Sequence, residues 1–141
     1  MAAPPPVPND QSIAPEDIVY RRVKDGGNIN IVRDKYGNRV TSSAAFEDDD
    51  DGISVFLQST LAEANLEAAS VIVGFNGYVL AKITVDAVRN LGVGVVRDPN
   101  PDDVKPMPCN VAHCLLKISP MSKSERHKVR QGLAHVSELM G

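Results

Sequence analysis

The chain has 141 residues and a formal net charge of −3, with 43% hydrophobic and 23% charged residues. That length suits one hydrophobic core rather than two, and ordinary globular composition excludes wholesale disorder. With no Trp, three Tyr and three Phe, the chain lacks the aromatic platforms of a single-strand nucleic-acid surface, and its acidic balance points away from a phosphate-binding face.

One local exception to that balance is the cationic group Lys123, Arg126, Lys128 and Arg130. Cys109 and Cys114 do not make the dense framework of a small secreted domain. No apolar run is long enough for a membrane span or a secretion signal, so a cytoplasmic location is expected.

In chain order, the first eight positions carry four prolines, and residues 1 to 14 read as a flexible Pro-rich arm that adds little to the core. Ile18 to Val23 is β-branched and aromatic, which predicts a strand with Ile18, Tyr20 and Arg22 on one face and Val19, Arg21 and Val23 on the other. Ile29 to Arg33 and Arg39 to Thr41, joined through Tyr36-Gly37-Asn38, predict a hairpin. Ser42 and Ser43 before Ala44-Ala45-Phe46 predict a capped helical turn, and the acids from Glu47 to Asp51 predict a solvated loop.

Ile53 to Leu57 reads as a strand, and Thr60 as the cap of a helix bearing Leu61, Ala62, Asn65, Leu66 and Ala69 on one side. Ser70 to Val73 reads as a buried strand turning at Phe75-Asn76-Gly77-Tyr78 into its partner, Val79 to Ile83. Thr84 should cap a short helix that Gly92 terminates. Val93 to Arg97 is the next strand, and four prolines keep Asp98 to Pro108 irregular. Ala112 to Ile118 is a further strand. Ser122 and Glu125 form a capping box for a final helix expected to bury Val129, Leu133, Val136 and Leu139 or Met140.

The chemistry-bearing groups are sparse. The run Asp48 to Asp51 lacks the interleaved spacing of a calcium loop, so plain surface is the simpler reading. Cys109, His113 and Cys114 bring three metal-ligand types close together, yet neighbouring strand residues point to opposite faces, which separates His113 from Cys114. His113 follows a Pro-constrained loop and lies near Asn110, a setting for a general base or hydrogen-bond donor; a structural histidine held by a carbonyl is the competing reading. Ser42 and Ser43 lack a nucleophile-elbow context. No glycine-rich phosphate motif is present.

Val19-Tyr20-Arg21-Arg22-Val23, Ser42-Ser43-Ala44-Ala45-Phe46, Ser54-Val55, Asp98-Pro99 and Ala112-His113-Cys114, in that order, resemble the pattern of a family of small uncharacterised bacterial proteins, across residues 17 to 135. The resemblance implies a bacterial single-domain protein and carries no activity with it. Arg21 or Arg22 on an early strand, followed by Thr41-Ser42-Ser43 and Phe46, is also similar to ADP-ribosyltransferases of the Arg-Ser-Glu type. That similarity implies an Arg that anchors NAD and a Ser-rich segment that shapes the nicotinamide pocket. The family's late-strand Glu has no counterpart, and His113 would have to substitute for it.

The sequence therefore predicts a flexible arm over residues 1 to 14 and a single α+β domain over 15 to 141. That domain should hold a mixed, mainly antiparallel sheet, two short helices and a C-terminal helix. The expected function is a binding or interaction domain of the bacterial cytoplasm, with a protein partner, no membrane contact and no metal. Its cleft would lie near Arg22, Ser43 and His113, with Arg21, Ser42 and Asn110 as further ligand-binding candidates and His113 as the candidate catalytic group. The alternative is an NAD-dependent, ADP-ribosyltransferase-like enzyme, with NAD as its cofactor. A third reading is a small nuclease working through His113 and arginines.

Overall fold

A computed structural model describes residues 8–47, 52–99, 107–118 and 122–140. The acidic run at residues 48–51 and the first seven residues of the arm lie outside them. The strand expected at Ile18 forms as β1 (Ile18–Lys24), and its alternation decides the layering. Val19 and Val23 are buried on one side and Tyr20 on the other. A strand apolar on both faces must be covered on both faces.

β1 pairs antiparallel with β4 (Ile53–Leu57) and with β5 (Tyr78–Thr84). β7 (His113–Lys117) and β6 (Gly94–Arg97) extend the sheet beyond β4, and β8 (Glu138–Met140) extends it beyond β5. All of these pairings are antiparallel, giving a six-stranded sheet in the order β6-β7-β4-β1-β5-β8. A separate two-stranded ribbon, β2 (Ile31–Arg33) with β3 (Arg39–Thr41), is the expected hairpin. The chain is thus a single α+β domain.

The first face of the sheet is covered by α2 (Val85–Arg89), α3 (Lys123–Val136) and the 3-10 turn Ser43–Phe46, which bury Val88, Leu133 and Phe46 against Val55, Ile83 and Cys114. The second face is covered by α1 (Gln58–Glu63) and the 3-10 turns Ala68–Ile72 and Pro108–Ala112. Thr84 caps α2 by accepting the Ala87 amide at 3.2 Å. At α3 both halves of the Ser122–Glu125 capping box are made. Thr41 and Ser137 hydroxyls meet at 2.8 Å and tie the ribbon to the end of α3.

Several boundaries differ from the sequence reading. α1 begins at Gln58 because the Asp17 carboxylate accepts from the Ser59 amide and hydroxyl, a long-range cap that replaces Thr60. It stops at Glu63 because Asn65 adopts φ 59°, with Leu66 N–H donating to Leu61 C=O at 2.8 Å and Asn65 N–H to Ala62 C=O at 3.0 Å. That is a Schellman ending, and Leu66 packs against the cluster that contains Leu61, as often accompanies the motif.

Ser70 to Val73 is not a strand. β1 takes β5 as its neighbour, and the β-branched segment is bent into a 3-10 turn that buries Val71 as a lid on the second face. α3 ends at Val136, so Leu139 and Met140 belong to β8 rather than to the helix, and Val136 is 36% exposed. Pro108 opens a 3-10 turn, where its missing N–H costs nothing. The later part of the expected arm is also fixed: Ile13 is 1% exposed in the core, and Asp10 N–H donates to Val95 C=O at 2.8 Å along the outer edge of β6.

Candidate functional site

Arg21 and Arg22 both leave β1 but in opposite directions, as alternation requires. β1 and β4 are paired only at Val19↔Leu57 and Tyr20↔Phe56. Beyond those pairs Arg21 reaches across, donating from Nη1 to Ser54 C=O at 2.9 Å and from Nε to Ala45 C=O at 3.0 Å. Arg21 therefore stitches the Ser43–Phe46 turn to β4. Ser42 does not cap that turn; its hydroxyl donates to Ile29 C=O and its amide to Asn30 C=O, which anchors the ribbon instead. Ser43 is half-buried at the start of the turn.

Arg22 enters the second face. Its guanidinium carbon lies 4.5 Å from the Phe56 ring centroid and 4.1 Å from that of Phe75. Its Nε donates to Val71 C=O at 2.6 Å, and Nη2 approaches Met107 Sδ at 3.5 Å and Cys109 Sγ at 3.6 Å. Cations stack favourably on aromatic faces, and Arg is the residue that does so while still donating in its own plane.

His113 is 8% exposed on the same face, edge-on to Phe56 with ring centroids 5.5 Å apart. Its Nδ1 lies 2.8 Å from Asp98 C=O and 3.2 Å from Asp98 Oδ2. A carbonyl oxygen only accepts, so Nδ1 carries the proton in this pairing. Asp98 N–H in turn donates to His113 C=O at 2.9 Å. The ring thus locks the exit of β6 to the start of β7, as a structural histidine would. Asn110 is 4% exposed in the neighbouring 3-10 turn, and its carbonyl accepts from the His113 amide.

Arg22, Asn110 and His113 accordingly share the second face, with Phe56 between the arginine and the histidine. Arg21, Ser42 and Ser43 lie with the first face, across the sheet. The structure does not bring the Ser-rich turn together with His113: Phe46 of that turn belongs to the first cluster, and Phe56, the ring against His113, to the second.

The cysteines are divided in the same way, Cys114 in the first cluster and Cys109 in the second. Desolvation pushes the Cys114 thiol up to about 12. Burial also raises Cys109, against the opposing pull of Arg22. Among the described residues no group of three His, Cys, Asp or Glu side chains could hold a metal ion, and no helix is long and apolar enough to cross a membrane.

Concave surface among the described residues is found away from these groups. β8 opposes β5 only from Leu80 to Lys82, leaving the end of β5 beside an indentation of about 210 Å³ lined by Ile18, Lys82, Ile83, Thr84, Val136 and Glu138. Across Thr84 it adjoins an open depression of about 460 Å³ lined by Pro15, Glu16, Thr84 and Asp86. Sequence reasoning missed this groove because its walls come from three distant segments, and β8 is too short to display a period of two. No local motif marks it. No protein-family model, curated protein or solved structure matches the chain.

Proposed function

We infer that the chain is a non-enzymatic binding domain of the bacterial cytoplasm whose partner is a protein. Its working surface is the groove at the end of β5. The observation that supports this reading is the division of labour between its two regions. Arg22 and His113 make internal contacts to a shared ring, to main-chain carbonyls and to Asp98. The groove, by contrast, is open, with Thr84, Glu16 and Asp86 all exposed along it. A concave strip with an apolar floor and polar rim is the usual form of a peptide-binding surface.

Panning a random peptide display library against the folded domain tests this. Enriched ligands are expected to lose binding to a Val136→Trp variant, in which the indole fills the indentation. Absence of enrichment over a non-binding control domain, or enrichment indifferent to the blocked groove, would overturn the reading.

A further inference from the structure

Resting on the binding-domain reading, we propose that the groove takes an extended peptide segment in which lysine or arginine alternates with apolar residues. The floor supplies the apolar half of that pattern: Ile18, half-buried, and Val136, with 36% of its surface exposed, line the indentation. The rim supplies the charge. Glu16 and Asp86 line the wider, more open end, and Glu138, with 73% of its side chain exposed, stands at the other.

Lys82 is the basic group among the described lining residues and lies 3.7 Å from Glu138, which offsets one acid and leaves the described rim acidic toward Asp86. Asp86 also sits in the first turn of α2, separated from the N-cap Thr84 by one residue, which places its carboxyl at the groove's open end.

Shape restricts the occupant's conformation. β8 covers β5 only as far as Lys82, so the groove runs past the last paired position and alongside Ile83 and Thr84. An extended chain laid along this free stretch of β5 presents alternate side chains to floor and rim. Charge on the rim then selects the partner more than it strengthens the complex.

The test uses two blocked synthetic hexapeptides, one alternating Lys and Val and one alternating Glu and Val, titrated into the isotopically labelled full chain and followed through its amide NMR spectrum. The Lys peptide is expected to shift the amides of Ile83, Thr84 and Val136 saturably, with affinity falling at least about threefold between 50 and 500 mM salt as screening grows. Glu16→Lys, an exposed loop substitution whose fold is checked by the same spectrum, should weaken binding about tenfold, and Glu16→Gln less.

Equal binding of the Glu peptide, shifts confined to another surface, or no response at millimolar peptide would overturn the proposal. If display-selected peptides of neutral or acidic character seat on these same amides, the binding-domain reading stands while the charge assignment falls.

Discussion

Arg22 illustrates how one side chain can suggest a ligand site in sequence and act as a structural rivet in the fold. Two rings, a carbonyl and two sulfur atoms surround its guanidinium. Arg22→Ala would remove both ring contacts and leave Val71 C=O without this donor. The expected loss is about 3 kcal/mol of stability, read from chemical denaturation. If Arg22 and His113 serve the interior, NAD at millimolar concentration should leave the amides of Ser42, Ser43 and His113 unmoved. Localised shifts there that vanish in Arg22→Ala would instead restore the transferase alternative. Alternation along β1 was enough to foresee that the two arginines part company. Which of them meets the Ser-rich turn was not legible, because it depends on where β4 diverges from β1.

At the scale of elements, endings were harder to read than middles. Thr84, Ser122 and Glu125 announce their caps locally, and both helices start where those residues stand. The start of α1 is set from 42 positions away by Asp17, which no window of sequence reveals. Its end is set by Asn65 in the left-handed region. Asn65→Gly should therefore change stability by no more than a few tenths of a kcal/mol, whereas Asn65→Val should cost about 1 kcal/mol or more, measured by thermal unfolding. The segment from Ser70 to Val73 has strand-like residues without a vacant strand position, and tertiary demand for a cover over Arg22 wins over propensity.

For the whole molecule, the α+β class and the antiparallel preference followed from short alternating strands, while strand order and the groove did not. Both depend on pairings between segments remote in sequence. The edge at β6 shows a further non-local device. Pro8 to Asp10 lies along it, with Asn9 Oδ1 accepting from Val95 N–H at 3.1 Å and Arg89 donating to Asp10 C=O at 2.8 Å. Gly94 is required there, since a Cβ would come within 1.8 Å of Pro8 C=O.

Hydrogen bonds from the Ser12 hydroxyl and amide hold the Asp10 carboxyl below its ordinary value, with Arg97 and Arg89 assisting. A lowered folded value means that its contribution is present above the usual carboxylate range and is lost as pH falls through the folded value. The Asp10–Ser12 turn of the strap, with its ion pair to Arg97, should therefore hold at neutral pH and loosen only below about pH 4. The Val95 amide chemical shift reports this, and Asp10→Asn should remove that pH dependence.

The strap also imposes a schedule on synthesis. Asn9 and Val95, whose amide donates to it, are separated by 86 positions. At a translation rate of about 5–20 residues per second, the strap leaves the ribosome roughly 4–17 s before the edge it protects exists. During that interval the strap has no β6 edge to bind. The sheet's margin at β6 is thus closed by the earliest of the described segments to be made, once the 86 positions that separate them have been added.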